Sequence, residues 1–221
     1  ALAAPFPRMP YREALARFGT DRPDLRVGLE IQDWSESAAR TGFKVFEAAV
    51  EAGGVVRALV VPGAGEGLSR KDGDDLMAEA QELGAKGLVW AAVGDDGALR
   101  SPVAKFLGGA AEELRASAGD LIAMVADLED VAAHVLGELR VRYAERDGVA
   151  RAREWAPLWV VDFPMVGWNA DEGRWDPLHH PFTAPAPEDL PLLETDPGAV
   201  RSLAYDVVLN GVELGGGSIR I

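Results

Sequence analysis

The chain ends on Tyr205–Ile221, "YDVVLNGVELGGGSIRI", and this stretch decides how the rest is read. Asn210-Gly211 flanked by apolar residues is the strongest short-range hairpin signal a sequence offers, because a two-residue type I′ turn needs positive φ at both positions. A plain register places Leu209 opposite Val212, Val208 opposite Glu213 and Asp206 opposite Gly215. Side chains alternate along a strand, so Asp206, Val208, Glu213 and Gly215 are expected on one face. The two carboxylates then become diagonal neighbours, at a Cβ separation of roughly 7–8 Å or somewhat less. Two acids so spaced can share a hard cation, and Mg²⁺ suits them best, since it commonly takes one or two protein carboxylates plus phosphate oxygens and waters. A solvated pair of acids on a half-exposed strand is the plainer alternative.

Arg220 lies an odd number of residues beyond Glu213, which on a regular strand puts the two on opposite faces. Gly215, Gly216 and Gly217 are poor strand residues and suggest a bulge, or a ligand lying against bare backbone. A one-residue bulge there turns Arg220 onto the carboxylate face. Such a surface joins a metal-phosphate end to a guanidinium able to grip a carboxylate with two parallel hydrogen bonds.

Working outward, the chain has 221 residues, 48% of them hydrophobic, and a formal net charge of -14. That length and apolar content bury a substantial core. The charge argues against a surface that grips nucleic acid throughout, which needs clustered Lys and Arg. The five arginines Arg8, Arg12, Arg17, Arg22 and Arg26 are interspersed with Glu13, Asp21 and Asp24, as on a solvated, ion-paired face. No apolar run reaches the ~20 residues of a membrane span, and "ALAAPFPRMP" lacks a signal peptide's layout. With no cysteine, disulfides and thiolate sites are excluded, and a cytoplasmic location is expected.

Several elements are legible. "PYREALARFG" reads as a short helix begun by Pro10 and ended by Gly19. "VVRALVVPG" and "GLVWAAV" read as strands, and Ser69 caps a helix that Gly84 terminates. "SPVAKFL" reads as a further extended run. In "LEDVAAHVLGELRVRYAERDG", Leu128, Val131, Val135, Leu139 and Tyr143 recur on one helical face, with His134 beside it as a structural residue. "LWVVDFPMVGW" and "RWDPLHH" flank "NADEG" as a long hairpin, and Trp155, Trp159, Trp168 and Trp175 suggest a packed wall.

The strings "FPRMPYREALARFGTDRPDLR", "LWVVDFPM", "LHHPFTAP", "LLETDPG", "AYDVVLNGVE" and "GGGSIRI" together resemble bacterial-type aspartyl-tRNA synthetase, a class II aminoacyl-tRNA synthetase. The ordered match reaches both ends of the chain. The resemblance implies an α+β protein in which a GAD-type inserted α/β domain interrupts part of the class II antiparallel catalytic sheet. Residues 1–28 and 154–221 would be catalytic-domain segments and 29–153 the insertion, a module also found in amidotransferase subunits that handle tRNA-bound amino acids.

By the same resemblance, Asp206 and Glu213 hold Mg²⁺ on the ATP phosphates, and Arg220 grips the side-chain carboxylate of L-aspartate. Gly216 and Gly217 let the nucleotide lie close beside Glu213, while His179 and His180 belong to a mobile loop near the substrate aspartate. The implied reaction is ATP-dependent activation of aspartate and its transfer to tRNA by a cytoplasmic homodimer. The family's anticodon-binding barrel and its motifs 1, 2 and 3 have no counterpart in these residues, so the chain is read as an internal part of such a ligase, inactive alone. Two other readings stand beside it. One is a stand-alone GAD-like binding module without catalysis; the other is a small metal-dependent hydrolase using His179, His180, Asp206 and Glu213.

Overall fold

The computed structural model describes residues 4–146 and 153–221. In chain order its elements begin with β1 (Arg8–Pro10) and α1 (Tyr11–Phe18), followed by β2 (Ile31–Asp33), α2 (Ser35–Ala38), α3 (Lys44–Glu51) and β3 (Val55–Val61). Next come α4 (Arg70–Glu82), β4 (Val89–Val93), β5 (Leu99–Arg100), α5 (Ala110–Glu113), β6 (Leu121–Asp127) and α6 (Glu129–Arg146). The last part holds β7 (Pro157–Val161), β8 (Val166–Asn169), β9 (Arg174–Pro177), β10 (Ala204–Leu209) and β11 (Val212–Ser218). Within the described residues the chain divides into two compact units, 4–14 with 21–26 and 153–221, and 15–20 with 27–146.

The second unit is a five-stranded antiparallel sheet in the order β2-β3-β6-β4-β5. Its central strand explains the two-sided core. In β6, Leu121, Ala123 and Val125 join one cluster with Leu76, Ala80, Val135, Leu136 and Leu139 of α4 and α6. Ile122 and Met124 join the other, with Ala38, Phe46 and Ala110 of α2, α3 and α5. An uninterrupted apolar strand is what a sheet covered on both faces requires. Leu121 and Ile122 are fully buried, each contributing about 1.5–3 kcal/mol over an exposed side chain.

Local signals set the helix ends. Ser69 and Asp72 form a reciprocal capping box at the start of α4, and Gly84 beyond its end adopts φ +103°, satisfying orphan groups at both termini. Gly73 faces the Trp90 indole, where a Cβ would collide with the ring, so this glycine permits the close approach of α4 to the sheet. Val135 and Leu139 are buried in α6 as its spacing predicts, whereas Leu128 precedes the helix and is 60% exposed. His134 is exposed.

Arg140, a charged residue with no exposed surface, fastens the start of this unit. Its Nε donates to Leu29 O (2.5 Å) and its Nη2 to Val27 O (2.8 Å), and the guanidinium lies 4.9 Å from the centre of the Phe18 ring. Val27 and Leu29 sit in the same core cluster, so this segment belongs with the second unit, as do residues 15–20.

The first unit carries a four-stranded sheet in the order β1-β7-β10-β11. Strands more than a hundred residues apart thus share one sheet. β7 pairs antiparallel with β10, and β10 with β11, but β1 pairs parallel with β7; the sheet is therefore mixed at the edge where the sequence reading had an antiparallel one. Other differences are local. Only β8 and β9 form the hairpin around "NADEG", because β7 is taken up by the larger sheet. "SPVAKFL" turns into a 3₁₀ segment, Ala104–Phe106. Trp155, Trp168 and Trp175 are 50%, 56% and 40% exposed, so they do not form a packed wall; Trp168 and Trp175 stack edge-to-face on each other instead.

The span 27–152 is expected to unfold cooperatively when produced alone. Beginning it at residue 31 removes both carbonyl partners of Arg140, which should cost more than about 3 kcal/mol for two charge-assisted hydrogen bonds. Urea unfolding of the two spans tests this, and equal midpoints would show that Arg140 does not hold the unit's first segment.

Candidate functional site

The terminal hairpin turns where its sequence says it should. Asn210 and Gly211 have φ +55° and +85°, the pair of positive values a type I′ turn demands. Asn210 also reaches outside the turn, its Oδ1 accepting from Ala156 N (2.9 Å) and its Nδ2 donating to Glu154 O (3.1 Å). The turn is thereby tied to the residues that lead into β7.

Beyond the turn the simple register fails by one residue. Leu209 pairs with Val212 and Val208 with Glu213, but Val207 pairs with Gly215, Asp206 with Gly216 and Tyr205 with Gly217. Leu214 is the extra residue of a β-bulge. The bulge lies just before the glycines, so Gly215 leaves the carboxylate face and Gly216 replaces it as the partner of Asp206. Asp206 and Glu213 remain on a common face, since Glu213 still pairs with Val208 and Val208 alternates with Asp206. β11 ends at Ser218; continued to residue 220, the same alternation would bring Arg220 to that face.

The glycines meet an internal need. A Cβ on Gly216 would overlap Asp206 Oδ1, and one on Gly217 would lie 2.9 Å from Tyr205 Oη. The aspartate carboxylate and the tyrosine ring therefore cross their strand partner on opposite faces of the sheet, through the space that side chains would fill. Nothing lies within 4 Å of a Cβ placed on Gly215.

Asp206 is half-buried and Glu213 exposed. Burial first, and then the negative charges of Glu213 and Asp21, together push the Asp206 carboxyl up to about 6. Neither acid has a hydrogen-bond or ion-pair partner among the described residues. A half-buried carboxylate with acidic neighbours and no cation suits a bound positive charge. Among the described residues, however, no group of three or more His, Cys, Asp or Glu is placed to hold a metal ion. Asp206 and Glu213 fit Mg²⁺ only as a minority of its ligands, with waters or phosphate oxygens completing the shell.

His179 and His180 take other partners. His179 meets Phe163 edge-to-face at 5.2 Å, and burial lowers its pKa. His180 accepts a hydrogen bond at Nδ1 from Phe182 N (3.1 Å) and stacks on the Phe182 ring. The metal-hydrolase arrangement of two histidines with Asp206 and Glu213 is not formed.

The histidine loop does meet the end of β11. Ala184 N donates to Ile219 O (2.8 Å), Ile219 N to Leu203 O (3.0 Å) and Leu203 N to Ala184 O (2.9 Å), closing a ring of three backbone bonds. Ile221 N donates to Phe182 O, and Thr183 bridges Arg220. The loop after His180, the start of β10 and the segment carrying Arg220 are thus joined. Arg220 is exposed and has no hydrogen bond or ion pair among the described residues.

One cluster has no sequence signature. Arg201 donates from Nε to Asp189 Oδ2 (2.8 Å) and from Nη2 to Asp189 Oδ1 (3.0 Å) and Glu188 Oε1 (2.9 Å). These bonds hold the Asp189 carboxyl down to about 2 and pin the 3₁₀ segment Pro187–Leu193 to the residues before β10. Two acids and an arginine 12 residues apart in irregular chain give no period to detect.

The larger cavities lie elsewhere. One of about 670 Å³ is lined by Arg8, Trp159, Val161 and Tyr205, on the sheet face opposite Asp206. Another of about 650 Å³, with Phe43, Phe46 and Met124 in its walls, belongs to the second unit. The carboxylate face is an open surface, and its chemistry rests on charge placement.

A model of the family described as tRNA synthetases class II (D, K and N) matches residues 1–221. The aspartate–tRNA(Asp/Asn) ligase of Moorella thermoacetica is 51% identical over 225 residues, which cover all of this chain and 37% of that protein. The aspartate–tRNA ligase of Exiguobacterium sibiricum is 49% identical, and the aspartate–tRNA(Asp/Asn) ligase of a Geobacillus species 47%; in each the match covers all of this chain and 38% of the relative. The chain thus spans less than two-fifths of the length of these relatives.

Between pH 4 and 8, Asp206 should leave a signature on stability. Its pKa is raised on folding, so its favourable contribution is present below about 4 and is lost as the pH rises through about 6. Asp206→Asn should therefore be more stable than the parent chain at pH 7.5, with the difference fading by pH 4. Urea midpoints at both pH values measure it; a pH-independent difference would mean that Asp206 titrates normally.

Proposed function

This chain belongs to the class II tRNA synthetases (D, K and N), and from that premise we propose that it forms part of the site of an aspartate–tRNA ligase. The observation that supports the reading is the bulge at Leu214: Asp206 and Glu213, which have no partner among the described residues, share a face, and the same alternation continued to residue 220 would bring the Arg220 guanidinium to it. Residues 1–28 and 154–221 would be the catalytic segments and 29–153 the inserted GAD-type domain. Pairing of β1 with β7 across the insertion supports that division. The whole enzyme would act in the cytoplasm as a homodimer on ATP, L-aspartate and tRNA.

In the first step an α-carboxylate oxygen of aspartate attacks the α-phosphorus of ATP. A C–O–P bond forms, the bond to the bridging oxygen breaks, and pyrophosphate leaves with its electron pair. The tRNA's terminal ribose hydroxyl then attacks the aspartyl carbonyl, loses its proton, and releases AMP. No covalent bond to the protein is needed, so orientation and charge stabilisation supply the acceleration.

Asp206 and Glu213 would hold Mg²⁺, and Glu213, Gly216 and Gly217 would face the nucleotide. When bound, the ion screens the negative charge of the phosphates. Asp206, with its carboxyl raised to about 6, is readily held ionised by a neighbouring cation. Arg220 would grip the aspartate side chain, with His179 and His180 closing nearby. Asparagine would be rejected because its neutral amide deprives the guanidinium of its charge-assisted partner.

The 221-residue chain alone should catalyse no aspartate-dependent exchange of pyrophosphate into ATP. Substituted for the matching residues of the Moorella ligase, it should support that exchange. In this graft, Arg220→Leu should raise the aspartate KM at least a hundredfold, about the cost of losing a bidentate charged contact, with ATP binding little changed. Arg220→Lys should not rescue it, because a point charge cannot reproduce the planar fork. Near-normal aspartate dependence in Arg220→Leu would overturn the assignment.

A further inference from the structure

Arg220 sits two residues beyond the end of the edge strand β11, after three glycines and with no side-chain partner among the described residues, so its position depends on what holds the adjacent backbone. The ring of hydrogen bonds through Ala184, Leu203 and Ile219 is one support. A side-chain bond is the other. Thr183 is 2% exposed, and its hydroxyl donates to Ser218 Oγ at 3.1 Å. Among the described residues this is the one side-chain hydrogen bond between the histidine loop and β11. Thr183 also bridges Arg220 across the backbone, and its own N–H donates to His180 O (2.8 Å). One buried residue therefore touches the histidine turn, the last residue of β11 and the arginine segment.

We infer that Thr183 is a positioning residue for Arg220, its hydroxyl locking Ser218 so that the guanidinium is presented in one place on the carboxylate face. This rests on the reading of Arg220 as the group that binds the substrate carboxylate. The physical requirement is preorganisation: a two-pronged contact tolerates little displacement, and a side chain on glycine-rich backbone is otherwise free to wander. The loop after His180 is thereby coupled to the same segment.

The inference separates from general stability by its pattern of effects. In the 221-residue chain, Thr183→Val leaves the Ser218 hydroxyl without its partner and should speed amide hydrogen exchange at Ala184, Leu203 and Ile219 about tenfold. Val212 at the turn and the amides of β6 should not change. Ser218→Ala, which removes the partner from the other side, should have the same effect, and Thr183→Ser should restore protection. In the Moorella graft, Thr183→Val should raise the aspartate KM about tenfold while the ATP KM stays within twofold.

Unchanged exchange at Ile219, equal acceleration throughout the sheet, or equal rises in both KM values would each overturn the positioning role. Arg220→Leu, measured alongside, separates the two levels. If it raises the aspartate KM while Thr183→Val does not, Thr183 alone has been misread. If Arg220→Leu leaves that KM unchanged, the reading of Arg220 fails and the positioning role fails with it.

Discussion

The arrangement depends on one extra residue. Leu214 adds itself to β11 between two paired positions, and every side chain beyond it exchanges faces. Without it, Asp206 would oppose Gly215 and Gly216 would turn to the other face. A β-bulge re-aims a strand at modest cost because it disturbs the ladder at one point only. It needs fixed ends to act predictably. The Asn210-Gly211 turn, stapled through the Asn210 side chain to residues 154 and 156, sets the register on one side. The hydrogen-bond ring through Ala184, Leu203 and Ile219 sets it on the other.

The glycines show how one sequence feature serves two levels of organisation. Asp206 and Tyr205 occupy the places where side chains on Gly216 and Gly217 would be, so the run is first a packing requirement of the β10–β11 pair. The same absence of side chains leaves bare backbone beside the carboxylates, where a ligand can approach. A carboxylate laid across a glycine is also drawn toward the sheet and away from water, which is the main cause of its raised pKa. Packing and electrostatics at Asp206 have a common origin.

The parts legible in the sequence were those set by local chemistry. The cap at Ser69, the helix ends at Gly19 and Gly84, the strands β3 and β4 and the I′ turn follow from residues close together in the chain. The apolar spacing of α6 showed one face but not the buried guanidinium, because Arg140 Nε and Nη2 are held by carbonyls more than a hundred residues away. Long-range pairing was likewise invisible. Nothing in "RMP" announces that β1 lies parallel to β7, and the hairpin expected around "NADEG" was overextended because β7 had a better partner in β10. The bulge was foreseen from the glycine run, but it formed at Leu214. The glycines beyond it pair in regular order because Asp206 and Tyr205 need those positions.

What remains is why Asp206, Glu213 and Arg220 stay unpaired among the described residues when ion pairs are available elsewhere in the chain. Elsewhere the same chain commits its charges, as in Arg26 with Asp24 or Arg201 with Asp189. Holding two acids close enough to raise a pKa is unfavourable for the isolated chain, and local rules are commonly broken where a surface serves something other than stability. A pairing of Arg220 with either acid would relieve both charges, and it would also extinguish the site. The backbone of Arg220, two residues beyond β11, is bridged to Thr183, and among the described residues its side chain forms no ion pair with either acid. On the proposed reading, the surface would suit a ligand presenting positive charge at one end and a carboxylate at the other, and binding would release the electrostatic penalty of the free chain.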